Sequence, residues 1–375
     1  MIDILEKIPC LTTLPEEAQG LWDICLSDIW CPNSLAEWRD VVDAPQDDST
    51  KATLFVNLPE TESQELIRTF GFSTVDLPTF PPIEWVNQKL PEHFNALCTD
   101  DSKLLKQSQL VQTIIDRVSY TLPDIMVFLV LDGLSLYDVA DWAFPESWHV
   151  VCEPCFVDGL SVTTSGMRRL IGSPPLTHRL FALGYVQRFG FSYWERSQNQ
   201  LTNVLFSEFP PSQLFRITTF EEVLDRLQNT DLPARTFIQI VRTGLDRVCH
   251  NHREKPDIEA ILNQLELNIK QIVEAVGSSQ KIVRIFVTSD HGILWFKKQK
   301  VMPFQSGTAS ARYVCAKSSS DMSGITIAES GETFTALTGD EVIARNRRVT
   351  EWGFHGGISA QESFVPLFDI TLNGR

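Results

Sequence analysis

Asp290 and His291, two residue types that bind metals, stand side by side at the end of a strand-like run: Ile282 to Val287 is apolar and β-branched, and Asp290-His291-Gly292 follows shortly after. In an open α/β sheet, reactive groups collect just beyond the carboxyl ends of the strands. A carboxylate beside an imidazole suits a borderline cation such as zinc, which accepts oxygen and nitrogen at short distance. An Asp that caps the next helix, with a His packed against it, accounts for the bare pair equally well. A second apolar run, Ile125-Met-Val-Phe-Leu-Val-Leu131, hands over Asp132-Gly133 at its end, and a third, Thr236 to Val241, precedes Asp246 and His250. Asp and His four apart can converge on one ion, although DxxxH alone is more often structural. His355 precedes two glycines near the end of the sequence. Thr163, Thr164 and Ser165 lie directly before a helix predicted over Gly166 to Ile171. A hydroxyl there is a cap, or a nucleophile helped by the helix dipole and by free N–H groups that favour an alkoxide and an incoming phosphate.

These residues need a scaffold, and the pattern of the chain supplies one. Uninterrupted apolar runs such as 125–131 are what strands buried on both faces look like. Between them fall amphipathic stretches: Tyr137 to Phe144 is helix-like, Phe220 to Leu227 has helical spacing, and Asp257 to Gly277 is a capped helix. Strand, helix, strand, helix, strand implies right-handed parallel crossovers, so the predicted fold is α/β with a doubly wound, mainly parallel sheet. After Gly292 some sixty residues rich in Gly, Ser and Thr break the rhythm and carry the basic cluster Arg345-Asn-Arg-Arg348. Residues 1–120 read as a smaller, mostly helical region without recognisable chemistry: Leu21 to Trp30 and Glu60 to Phe70 have helical spacing, Thr53 to Asn57 reads as a strand, and Asp43 to Thr50 as a loop. The predicted boundary therefore divides 1–120 from a catalytic domain at 121–375.

Composition narrows the partners. A hydrophobic fraction of 43% and a charged fraction of 21% describe an ordinary globular chain. No run reaches the length that spans a bilayer, and the N-terminus lacks the order of a signal peptide, so a cytoplasmic protein is expected, without a membrane partner. A formal net charge of -16 repels polyanions, which argues against non-specific nucleic-acid binding. An anionic substrate would need local cations. Eight scattered cysteines fit reduced thiols, and the single Cys152-Glu-Pro-Cys155 pair lacks the second pair that a structural zinc requires. His93, His149 and His178 have no ligand-like surroundings, and His252 is read as no part of the site.

Together Asp132, Thr163, Asp246, His250, Asp290, His291 and His355 resemble the alkaline phosphatase superfamily and, within it, the PglZ domain family. The pieces that match are Asp132-Gly133 after its strand, Ser161-Val-Thr-Thr-Ser-Gly-Met167, Asp246 with His250, Ser289-Asp-His-Gly292, and His355-Gly-Gly-Ile-Ser-Ala-Gln-Glu362 followed by Val365-Pro366. They cover residues 120–375. The resemblance implies an alkaline-phosphatase-like sheet and two divalent ions, one held by Asp132, Asp290, His291 and the nucleophile, the other by Asp246, His250 and His355. It also implies Thr163 as nucleophile, because the family's hydroxyl stands four residues before a Met like Met167; Thr164 is the runner-up. Leu160, where the family has a proline, departs from the pattern.

The expected activity is a metal-dependent phosphoesterase, and the threonine and the resemblance favour phosphodiesters, such as those of nucleotides, over monoesters. Zinc is favoured by the three histidines, with manganese as the alternative. Arg168, Arg169 and the cluster at 345–348 can attract an anion, although a backbone or solvent contact is the commoner role. Family context points to bacterial anti-phage defence of the BREX type, with other defence proteins as partners, or to nucleotide signalling. A phosphomonoesterase or phosphomutase, and a non-catalytic scaffold of a defence complex, are the alternatives.

Overall fold

The computed structural model describes residues 10–27, 54–99, 103–193, 209–217, 219–242, 244–251, 254–277, 281–295, 300–302, 310–315, 324–343 and 351–372, with a few positions between 29 and 37. The 43–50 loop, the 345–348 arginines and His252 lie outside them. The chain forms two compact units, 1–93 and 94–375.

In the larger unit the elements that build the main sheet and its cover are β1 (Leu105–Lys106), α1 (Leu110–Tyr120), β2 (Ile125–Leu131), β3 (His149–Phe156), α2 (Thr163–Ile171), α3 (Leu176–Ala182), β4 (Gln187–Tyr193), β5 (Leu214–Ile217), α4 (Glu221–Asn229), β6 (Thr236–Arg242), α5 (Leu245–Asn251), α6 (Ile258–Val276), β7 (Val283–Thr288) and β8 (Phe364–Leu372). The eight strands lie in the order β1-β3-β8-β7-β2-β6-β4-β5. β8 pairs antiparallel with both of its neighbours, and every other pairing is parallel.

Strand periodicity explains why β2 is apolar throughout. Ile125, Val127, Leu129 and Leu131 enter a core with α4, α5 and α6, while Met126, Phe128 and Val130 enter a second core with α1, α2 and α3. Both faces are covered, which makes the sheet doubly wound. α6 starts where Asp257 accepts a bond from the Ala260 N–H at 3.0 Å. Because α1 and β1 belong to the larger unit, the boundary read from the sequence at 120/121 falls inside it.

Three local readings change. No helix covers 137–144: only a 3-10 turn, Leu136–Asp138, forms there. Its capping box, with Ser135 and Asp138 answering one another's backbone N–H groups, favours a single turn. α2 starts at Thr163 rather than at Gly166, and its N-cap is Val162, so none of the three hydroxyls caps it. Cys152 and Cys155 sit three apart on a strand and enter opposite cores, which rules out a shared ion or a disulfide between them. Between β7 and β8 the described chain forms short strands, among them Tyr313–Cys315, Ile325–Glu329 and Glu332–Ala336 in one antiparallel sheet.

The smaller unit contains a three-stranded parallel sheet of Leu54–Val56, Cys10–Thr12 and Ser73–Thr74, with Cys10–Thr12 central, and the helices Gln19–Cys25 and Glu60–Phe70. With the helix Ile83–Leu97, most of which lies in this unit, its described residues are mostly helical around that small sheet. Among the described residues, no helix is long and apolar enough to cross a membrane.

Candidate metal centre

Parallel register carries the Asp residues to the carboxyl end of three central strands. Val130 of β2 pairs with Thr288 of β7, and Leu131 pairs with Arg242 of β6, so the residues that follow all three strands emerge together. Asp132 leaves β2 bonded on both sides to the β6–α5 connection: its N–H donates to Arg242 O at 3.0 Å, and its carbonyl accepts from Leu245 N at 3.1 Å. Asp290 Oδ1 accepts from the N–H groups of Gly133 at 3.2 Å and of His291 at 3.1 Å. Gln107, fully buried, holds the same loop from behind by donating to Ser289 O at 2.9 Å and Asp290 O at 2.8 Å. α2 lies so close to this loop that a Cβ on Gly166 would stand 2.1 Å from Asp290 O, which only glycine permits.

Two ligand groups result. Asp132, Asp290 and His291 form one, fully buried; Asp246, His250 and His355 form the other, half-buried; in each, the potential ligand atoms lie within 4.8 Å of one another. The groups adjoin, because the His291 and His355 rings stack with centroids 4.3 Å apart. α5 places Asp246 and His250 on one face at helical spacing, with His250 Nε2 3.2 Å from Asp246 Oδ1. His355 Nε2 completes this group at 3.1 Å from the same oxygen and 2.9 Å from His250 Nε2. Thr163 Oγ1 stands 3.1 Å from His291 Nε2, Thr164 is exposed, and Ser165 is buried in the packing of α2. The seven residues singled out from the sequence therefore converge beyond the carboxyl ends of the central strands.

Tautomers follow from the partners. His291 Nδ1 faces the Gly292 carbonyl at 3.0 Å and His355 Nδ1 faces the Ser161 carbonyl at 3.1 Å. A carbonyl only accepts, so Nδ1 carries the proton in both rings and Nε2 is left to meet a cation, a proton or a hydroxyl. That is how ligating histidines are usually oriented.

Electrostatics expose what the site lacks. Burial pushes the Asp132 carboxyl well above its ordinary range, reinforced by Asp290 and Asp246, and pushes Asp290 up to about 7. Burial also lowers His291 to about 3, so its contacts with Asp290 at 3.6 Å and Asp132 at 3.8 Å are not ion pairs at neutral pH. Asp246 goes the other way: although burial works against it, hydrogen bonds from His250 and His355 hold it well below the ordinary value. His355 is raised: burial works against it, but the hydrogen bond and charge of Asp246, with the Ser161 carbonyl and the Glu362 charge, together prevail. Among the described residues, Asp132 Oδ1 and Asp290 Oδ2 are buried without a hydrogen-bond partner. Buried carboxylate oxygens without partners, beside imidazoles offering lone pairs, are a donor set that fits a divalent cation.

Some of the framework carries no sequence signal. Gln107 lies in a polar run, Lys106-Gln-Ser-Gln109, that carries no motif. Arg169 donates to Gln107 Oε1 at 2.8 Å, Glu329 Oε1 at 2.9 Å and Leu160 O at 2.8 Å, and so ties α2 to its surroundings rather than facing an anion. Arg168 is exposed and donates to Ser330 Oγ at 3.1 Å. Ser161, by contrast, lies inside the Ser161–Met167 motif.

Fold and site together define a doubly wound α/β protein with two adjoining carboxylate–histidine groups and a hydroxyl beside them. No family model matches the sequence, and no curated protein does. Among solved structures it is similar to murine ectonucleotide pyrophosphatase/phosphodiesterase 5, with 11% identity, 65% of this chain and 87% of that chain covered, and a TM-score of 0.45. The human form of that protein covers the same shares at 12% identity and a TM-score of 0.41. The C-terminal periplasmic domain of EcEptC from Escherichia coli, in complex with Zn, shares 12% identity over 46% of this chain and 64% of its own, with a TM-score of 0.31. Likenesses this remote add nothing to the geometry above, on which the site stands.

Proposed function

We propose that the protein is a two-metal phosphoesterase acting on phosphodiesters, those of nucleotides among them, with Thr163 as its nucleophile. The observation that carries this reading is the Thr163 hydroxyl, 3.1 Å from His291 Nε2, next to two adjoining ligand groups in which buried carboxylate oxygens have no partner. Asp132, Asp290 and His291 would hold one ion and Asp246, His250 and His355 the other, zinc before manganese. Two such ions supply charge neutralisation for the attacking oxygen, the phosphoryl oxygens and the leaving oxygen of an in-line displacement.

The residues of the chain do the rest. His291, neutral because of its burial, keeps Nε2 as the lone pair that would hold the ion, and the Thr163 hydroxyl beside it would lose its proton to solvent under that ion's charge. Thr163 opens α2, so its hydroxyl sits at the positive end of the helix dipole, where phosphoryl oxygens are favoured. Attack of Oγ1 on phosphorus forms one O–P bond and breaks the bond to the leaving alkoxide; attack by water then frees the threonine. The preference for diesters and a place among anti-phage defence proteins draw their support from the resemblance of the motifs to the PglZ family.

Purified protein is expected to hydrolyse bis-p-nitrophenyl phosphate, to lose that activity in a chelator and to regain it with zinc or manganese. Activity that survives verified metal loss would sink the two-metal reading. Faster turnover of the monoester would move the assignment to a monoesterase, and two bound equivalents without turnover of either ester would make the protein a scaffold.

A further inference from the structure

Behind His355 lies a charged pair outside both ligand groups. Arg312 and Glu362 are fully buried and doubly bonded, Nε to Oε1 at 3.0 Å and Nη2 to Oε2 at 2.5 Å. A buried ion pair is weak evidence for stability, since desolvation opposes the attraction. What this pair does supply is geometry. Glu362 Oε1 also accepts from the Gly357 N–H at 2.9 Å, and Oε2 accepts from Ser359 Oγ at 2.7 Å. Arg312 Nη2 donates to Gly339 O at 2.8 Å, and Nη1 donates to Glu341 O. The guanidinium lies flat against Gly357, where a Cβ would come within 2.5 Å of Nε and Nη2, so the close approach requires glycine.

From the other side, Ser161 grips the same segment. Its Oγ accepts from Gly356 N at 3.0 Å and donates to Gly357 O at 2.8 Å, while its carbonyl accepts from His355 Nδ1–H at 3.1 Å. Residues 355–357 are thus held between the loop that leads to Thr163 and the Arg312–Glu362 pair. Asp246 and His250 ride on α5 and are placed without either.

We propose that Arg312 is the positioning residue of the half-buried ligand group: through Glu362 and Gly357 it fixes where His355 Nε2 meets Asp246 and His250, and so sets the affinity for one of the two ions. This rests on the two-ion reading above. The Asp290 carboxylate is anchored by Gly133 N–H and Ser289 Oγ, and the backbone of its loop by Gln107; Glu362 reaches that loop through its backbone carbonyl, which accepts from Gly292 N–H at 3.3 Å whatever its side chain does, so the ion of Asp132, Asp290 and His291 is outside the effect.

The test is zinc uptake by the full chain, followed by calorimetry and by metal analysis after dialysis. Arg312→Lys keeps a positive charge opposite Glu362 but replaces the fork with a single point donor. Wild-type protein is expected to take up two equivalents. In Arg312→Lys one equivalent keeps its affinity and the other weakens roughly 10- to 100-fold, as changes to the supports of metal ligands do. The rate at saturating zinc returns toward that of wild type, so the defect lies in metal affinity rather than in kcat. Should Arg312→Lys not fold, Arg312→Met combined with Glu362→Gln removes both charges at similar volume and must show the same one-ion loss. A folded variant that keeps both affinities, or loses both alike, overturns the proposal. A wild-type protein that takes up fewer than two equivalents overturns the two-ion reading instead, and the inference with it.

Discussion

The two ligand groups adjoin, yet they are built on opposite plans. Asp132, Asp290 and His291 are fully buried, sit just beyond the ends of two paired strands, and are fixed by backbone N–H groups and by Gln107. Asp246, His250 and His355 are half-buried and join a short helix to a loop that reaches the site only because Ser161 and the Arg312–Glu362 pair hold it. Charge divides them too. In the first group burial drives the carboxyls up, so the site is poor in positive charge; in the second, two histidines already stabilise the Asp246 anion. The strand-end group has its position imposed by the core and its occupancy by the ion. The helix–loop group has its position imposed by side chains that a single substitution can remove.

The largest expected effect lies where the groups meet, at Thr163. Thr163→Ala is expected to lose turnover on the order of a thousandfold or more while both ions stay bound, because the six Asp and His ligands remain. Thr164 is exposed and caps nothing, so Thr164→Ala is expected to stay within about twofold of wild type and unchanged in melting temperature, surface changes of this kind being nearly neutral. Rates read beside metal content decide between them. An active Thr163→Ala with an inactive, folded Thr164→Ala would move the nucleophile one residue along and detach it from His291.

A smaller effect tests whether the helix–loop group is one unit. His355→Ala and Asp246→Ala are each expected to weaken one zinc equivalent by about 100-fold and leave the other, and the double variant should be little worse than either single one, since groups that act on one ion are not additive. Independent, additive losses would show that residues more than a hundred positions apart do not share an ion, and the contrast between the groups would dissolve.

Much of this was legible in the sequence, and unevenly so. Strands buried on both faces announce themselves as apolar runs, so 125–131 and the acidic residues beyond such runs stood out before any coordinates. Asp246 with His250 was ambiguous because i,i+4 pairs are common on helices; only their meeting with His355 separates them from a surface pair. The supports were illegible for a physical reason. Gln107 and Arg312 act through contacts with residues far away in the chain, and neither neighbourhood, the polar run Lys106-Gln-Ser-Gln109 or the residues before the strand Tyr313–Cys315, marks one residue as a support. Tyr137 to Phe144 misled because helical spacing of apolar residues is also produced by a turn that buries Leu136 and Val139 against the sheet. Thr163 to Ser165 misled in the opposite sense: hydroxyls in a row look like caps, while the helix had already begun.

The smallest expected effect probes the bracing of the strand-end group. Asp138 sits in the turn after β2 and accepts from Ser135 N at 3.0 Å and from the Trp295 indole N–H at 3.3 Å, linking the loop beyond Asp132 to the chain beyond His291. Burial pushes its carboxyl up to about 7, against the pull of those two N–H groups. The folded protein therefore holds the Asp138 proton more tightly than the unfolded chain, whose carboxyl titrates near 3.9. The sign follows: stability falls as pH rises from about 4 to about 7, and the loss is complete above that window. Asp138→Asn cannot ionise, yet its amide oxygen can still accept an N–H. Its melting temperature relative to wild type, both measured with zinc bound, is expected to climb across the window by the equivalent of roughly 1 kcal/mol, discounted from the full shift because the side chain is half-buried. A difference that stays flat from pH 4 to 8 would mean that Asp138 is solvated in both states, and that the linkage between the two loops rests on packing around Trp295 alone.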